Sequence, residues 1–155
     1  LANTQALFTS AKKEFLCGSH ALGTQAANSV RTVTTTDVLK AALYLTTGSI
    51  GASTTAYSSS NEVSGTNYTA GGVTVTNATA PTTSGTTAFW TPSASIVFPT
   101  VTLTTAFDCV MIYNSSSTGS LGISSHTFGA QTVTAGTFTL TMPTNDATHA
   151  LIQLA

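Results

Sequence analysis

From Asn3 to Cys17 the apolar residues Leu7, Phe8, Ala11, Phe15 and Leu16 recur at helical spacing. The spacing predicts one amphipathic helix over about residues 3–17, with Asn3 or Thr4 as its N-cap, Lys12 and Lys13 late, and Gly18 as the stop. Its apolar stripe is suited to a sheet of the same subunit or of a neighbour. Beyond Ser19 the helical period disappears and short apolar runs alternate with polar turn clusters. These runs predict strands near Val38 to Leu45, Val73 to Asn77, Thr86 to Trp90, Thr100 to Thr104, Phe107 to Tyr113, Leu121 to Phe128, Thr137 to Met142 and Ala150 to Leu154.

Several of these runs alternate strictly. Val73 and Val75 stand against Thr74 and Thr76, Val101 and Leu103 against Thr102 and Thr104, and Phe138, Leu140 and Met142 against Thr139 and Thr141. A period of two with threonine outward belongs to antiparallel sheets covered on one face. Pro81, Pro92, Pro99 and Pro143 are expected at strand ends, where a missing backbone donor does least harm. The expected fold is therefore mainly β: a single-domain antiparallel β-sandwich or compact barrel of about eight strands, spanning 1–155, with one N-terminal helix. The stretch from Thr46 to Ala70 departs from the pattern, with Ile50, Tyr57, Val63 and Tyr68 as its only apolar anchors. A segment of that length is either a contact with another subunit or a surface loop.

Composition sharpens this picture. The chain has 34 Thr and 18 Ser in 155 residues, against 4 Lys plus Arg and 5 Asp plus Glu. Charged residues make up 6% of the chain, far below the roughly 25% of ordinary globular proteins, so hydroxyls and amides must carry its hydration. A near-neutral surface favours association, and a net charge of −1 offers no basic stripe for nucleic acid. No window reaches the length of apolar residues that spans a bilayer, and Lys12, Lys13 and Glu14 interrupt the early apolar pattern, so neither membrane anchor nor signal peptide is expected. Cys109, inside the apolar run with Val110, Met111 and Ile112, reads as a buried free thiol rather than the partner of Cys17.

The supply of groups for chemistry is short: His20, His126, His149, Glu14, Asp37, Glu62, Asp108 and Asp146. There is no G-x-S-x-G elbow, Walker loop, G-x-G-x-x-G turn, H-E-x-x-H helix or C-x-x-C pair. No catalytic residue, cofactor site or metal ligand is assigned, and the chain is read as a non-enzyme. His126 should share a strand face with Ser124 and Phe128 as a hydrogen-bonded, partly buried imidazole. Asp146 and His149 read as the local cap of a turn. Asp108, taken to open its strand, could pair with Lys40 or Arg31. Trp90 reads as a core anchor, with an exposed assembly contact as the other possibility.

The segments KAALY (Lys40 to Tyr44), TTAYSSSNEV (Thr54 to Val63), GTNYTAGG (Gly65 to Gly72), GTTAFW (Gly85 to Trp90), MIYNS (Met111 to Ser115), AGTF (Ala135 to Phe138) and PTNDA (Pro143 to Ala147) follow one another along the chain. In that order they resemble a family of small structural proteins of tailed double-stranded DNA bacteriophages. The resemblance implies a virion protein: a capsid decoration or cement protein that binds across subunits of the major capsid protein. It would act as a homo-oligomer, with a trimer favoured, and without nucleic acid or membrane as partners. A tail or fibre module that recognises host-surface glycan through Tyr57, Tyr68 and Trp90 is the alternative.

Overall fold

The computed structural model describes residues 2–23 and 36–155. It is mainly β, with 44% strand and 6% helix in two antiparallel sheets and one short N-terminal helix, an arrangement compatible with a sandwich. The elements in chain order are β1 (Ala6–Leu7), α1 (Thr9–Leu16), β2 (Leu39–Leu45), β3 (Val73–Thr74), β4 (Thr82–Ser84), β5 (Thr87–Trp90), β6 (Ile96–Asn114), β7 (Gly122–Leu140) and β8 (Ile152–Leu154). The larger sheet has the order β1-β7-β6-β2-β3, and the smaller has β4-β5-β8. Among the described residues no helix is long and apolar enough to cross a membrane.

The backbone of the larger sheet is a hairpin of two 19-residue strands, β6 and β7. Sequence pattern divides each of them in two, because Thr104, Thr105 and Ala106 on β6 and the stretch from Gly129 to Gln131 on β7 lack alternation. Main-chain pairing nevertheless runs from Tyr113 opposite Gly122 to Ile96 opposite Leu140, with register shifts along the way. Pro99, expected at a strand end, lies inside β6 at one such shift, between Phe98 and Val101, beside Thr100 at φ 51°. A bulge needs no donor from the proline and bends the strand there.

Both faces of the larger sheet are covered where β2 meets β6. Leu39, Ala41, Leu43, Val110 and Ile112 join Trp90 of β5 and Ile152 of β8 in the main core. On the opposite face Ala42, Tyr44, Cys109 and Met111 pack with Phe8 and with Ala11 of α1. This double burial explains why 109–113 reads as a continuous apolar run, whereas the sheet outside this zone keeps its alternation. Cys109 is a buried free thiol and Cys17 an exposed one.

The helix packs on its own subunit but is shorter than its sequence pattern. Asn3 and Thr4 do not cap it: Asn3 donates to the Leu45 carbonyl at 2.9 Å and to Asp108 at 2.6 Å, and its Oδ1 accepts from the Ile50 amide at 3.0 Å. Tertiary bonds thus claim the residues that spacing alone assigns to the first turn, and Phe8 occupies the N-cap position. Gly18, at φ 66°, follows the C-cap Cys17 as expected. Leu16, counted in the apolar stripe, instead points to solvent with 91% exposure.

Gly72, at φ 71°, passes so close to β2 that a Cβ would stand 1.8 Å from the Ala41 carbonyl oxygen, whereas Gly85, at φ 58°, has nothing within 4 Å. Gly72→Ala is therefore expected to cost more than about 2 kcal/mol in urea unfolding, and Gly85→Ala about 1 kcal/mol, the left-handed backbone strain alone. Equal costs would show that contact with β2 is unimportant.

Candidate functional site

Glu62 is the sole charged residue between Lys40 and Asp108, and it is buried. Its carboxylate accepts three hydrogen bonds: from the Tyr57 hydroxyl at 2.6 Å, the Tyr68 hydroxyl at 2.7 Å and the Gly71 amide at 2.7 Å. The other two tyrosines close the surround. Tyr113 donates to the Gly71 carbonyl at 2.8 Å and stacks on Tyr57 with ring centroids 4.7 Å apart, and Tyr44 donates to the Ser58 carbonyl at 2.6 Å. Two of the four tyrosines of the chain thus donate to one buried anion and the other two hold the backbone around it, and its burial is tolerable because neutral donors bond both its oxygens.

This cluster determines the course of the stretch from Thr46 to Ala70. Main-chain bonds fasten the stretch on both sides: Leu45 to Asn61, Val63 to Leu43, Tyr57 to Ser120, Gly122 to Thr55 and Thr102 to Thr66. Isolated bridges join Tyr44 with Glu62, Ala56 with Leu121 and Thr66 with Thr102. Tyr57, Val63 and Tyr68 do act as anchors, but sequence reasoning missed Glu62. Its signal was a lone charge in a hydroxyl-rich segment with a tyrosine on either side.

Burial, followed by the negative charge of Glu62, pushes the hydroxyls of Tyr44 and Tyr113 above their ordinary value. Burial also leads for Tyr57 and Tyr68, where the bond to Glu62 adds to the rise. A phenol that stays protonated and is already donating serves here as a structural donor.

A second polar relay fastens the end of α1 to the hairpin. His20 Nε2 lies 2.9 Å from Glu14, and its Nδ1 lies 3.1 Å from the Asn114 side-chain nitrogen, which also donates to Asp37 at 2.6 Å. Asn114 Oδ1 accepts from the Ser116 and Ser117 amides, which fixes the orientation of the amide. The amide nitrogen can only donate, so Nδ1 accepts and Nε2–H donates to Glu14. Both ring nitrogens are committed, and the imidazole is a fastener. This relay was not foreseen, because its members are far apart in sequence.

The remaining polar candidates also have local partners. His126 Nε2 lies 3.0 Å from Ser124 Oγ on the same face of β7, as expected, and burial lowers its pKa to about 4. No carboxylate is bonded to this pair among the described residues, so it lacks the third group that triad chemistry uses. Asp146 caps its turn by accepting from the Thr148 and His149 amides, each at 2.8 Å, and these bonds hold its carboxyl well below the usual range. Asp108 does not pair with Lys40: it lies within β6 rather than opening a strand, and Asn3 satisfies it. Arg31 lies outside the described residues. Trp90 is core, 1% exposed, with Nε1 donating to the Thr79 carbonyl at 2.9 Å.

Two measurements test the tyrosine cluster. Glu62→Ala strands three donors and is expected to lower unfolding free energy by about 3 kcal/mol, while Glu62→Gln, which keeps one acceptor oxygen, should cost about 1 kcal/mol. In the second, the folded chain holds its tyrosines protonated beyond the point, near pH 10, at which the unfolded chain ionises. The stabilisation is therefore complete below about pH 10 and lost as pH rises above it. Tyrosinate absorbance should rise together with loss of the β circular-dichroism signal, and titration ahead of unfolding would contradict the buried geometry.

Comparison with protein-family models, with curated proteins and with solved structures found no match to this chain.

Proposed function

We propose that this chain is a structural virion protein of a tailed bacteriophage: a capsid decoration or cement protein that stabilises the head by binding across subunits of the major capsid protein. The observation that carries the reading is the Glu62 cluster. It converts a long Ser/Thr/Gly/Asn stretch into a surface fastened to the sheet at many points, with exposed Ser58, Ser59, Ser60, Ser64 and Thr66. A preorganised surface of this kind loses little conformational freedom on docking. The ordered segments resembling small phage structural proteins, and a coat whose hydration rests on hydroxyls, support the same reading.

In this reading the protein works as a homo-oligomer on the capsid, for which a trimer suits three-fold positions. It makes and breaks no bonds and engages neither nucleic acid nor membrane. The glycan-binding fibre alternative gains no support from its named aromatics: Trp90 is buried, and the hydroxyls of Tyr57 and Tyr68 are spent on Glu62.

Cryo-electron microscopy of intact particles, with copy number from quantitative mass spectrometry, tests this assignment. The expected result is density repeated over the head lattice at many equivalent sites. A handful of copies confined to the tail would overturn it.

A further inference from the structure

Among the described residues the outer edge of β7 carries little strand pairing. Among the described residues only β1 pairs with it, through Leu7 opposite Ser124 and Ala6 opposite Ser125. The rest of the strand, through Leu140, has no strand paired along its outer edge among the described residues. Natural edge strands of this length are usually guarded by lysine, proline or inward charge. Here no Lys, Arg, Asp or Glu occurs between Asp108 and Asp146, and no proline lies within β7. One guard is present: β7 bulges where Val133 to Gly136 oppose Leu103 to Val101, with Ala135 at φ 45°. Past the bulge the strand pairs in step with β6, from Phe138 opposite Phe98 to Leu140 opposite Ile96.

The side chains of this last stretch carry a second, independent feature. Phe138, Leu140 and Met142 are half-buried and alternate with exposed Thr137, Thr139 and Thr141. The apolar row pads the core without being sealed by it, and a cavity of about 160 Å³ opens beside it, lined in part by Phe128, Leu140, Met142 and Leu151. An open ladder with apolar positions at every second residue is what strand addition requires: main-chain bonds supply affinity and the alternate positions supply register.

We infer that the Thr137 to Leu140 edge of β7, continued by Thr141 and Met142 just beyond it, pairs antiparallel with the same segment of a second copy of this chain, about a twofold axis. The occupant follows from self-complementarity. In an antiparallel pair, directly opposed residues share a face. With Leu140 opposite Leu140 of the partner subunit, each Phe138 lies opposite a Met142 and each Thr139 opposite a Thr141. A slip of one residue sets apolar against threonine throughout, so the pattern excludes odd slips, and the register centred on Leu140 is the one that pairs all three apolar residues. The absence of charge removes the repulsion that would oppose bringing two identical strands together. Five paired residues in each copy, 138–142, give on the order of four to six main-chain hydrogen bonds, at the low end of the range of a stable interface. This twofold contact joins copies in pairs and is separate from any threefold arrangement taken up on the capsid, since a trimer cannot use an identical-edge contact around its axis. The contact forms in solution without any particle, so its failure and the failure of the virion assignment are separate results.

Sedimentation equilibrium of the full chain is expected to show a dimer of twice 15.7 kDa. The double variant Thr139→Lys/Thr141→Lys places like charges opposite each other and should weaken dimerisation by at least about tenfold in Kd, as should Thr139→Glu/Thr141→Glu. An equimolar mixture of the two should recover the dimer. Backbone hydrogen exchange over residues 137–142 of the unaltered chain should slow as concentration rises, a readout that needs no variant. A wild-type monomer at all concentrations, an oligomer that both double variants leave intact, or exchange independent of concentration would overturn the inference.

Discussion

A carboxylate removed from water, with no cation bonded to it among the described residues, is the interaction on which this molecule is organised. Glu62 can be buried only because two phenols and one amide converge on it. Those donors come from different turns of the long connection between β2 and β3. Satisfying the charge therefore fixes the path of the connection, which in turn lays Ala56 against Leu121 and Thr66 against Thr102. A sheet that would otherwise have a long unsupported crossing gains a cover, and the isolated ends of β6 and β7 gain a partner on one side.

The same economy appears throughout a chain with so few charges. Glu14 and Asp37 meet a histidine and an amide rather than Lys or Arg, and Asp108 meets Asn3. Among the described residues neutral donors and imidazole stand in place of Lys and Arg at each of these acids, of which Glu62 is buried and the others half-buried, so the fold depends little on screening by salt. Hydroxyls on the outside and hydroxyl-satisfied acids on the inside are two expressions of one composition.

What the sequence made legible follows from what was local. Alternation of valine, leucine and phenylalanine with threonine identified β3, part of β6 and the end of β7, and short apolar runs marked β2, β5, the start of β7 and the region of β8, because both signals are written in adjacent residues. The unbroken length of β6 and β7 was not legible. The strand carries through a register shift between Leu103 and Phe107, where Thr104, Thr105 and Ala106 give no apolar signal, and Pro99 is absorbed by a bulge. The short strands β1 and β4 were missed because two or three residues carry no period. The start of α1 was misread because Asn3 and Thr4 resemble caps locally but are used at long range. Within the candidate site the tyrosine anchors were visible as isolated apolar positions. Their convergence on Glu62 was not, since residues 44, 57, 62, 68, 71 and 113 meet only once the sheet has formed.

Trp90 offers one more consequence. It is the only tryptophan, it sits in the core between the smaller sheet and the larger one, and its indole nitrogen is bonded to the Thr79 carbonyl. Separation of the two sheets would expose that indole to water and alter its emission, while rearrangement at the far end of the long hairpin would leave it undisturbed. The fold thus contains a built-in optical reporter that separates the parting of its layers from events at its periphery.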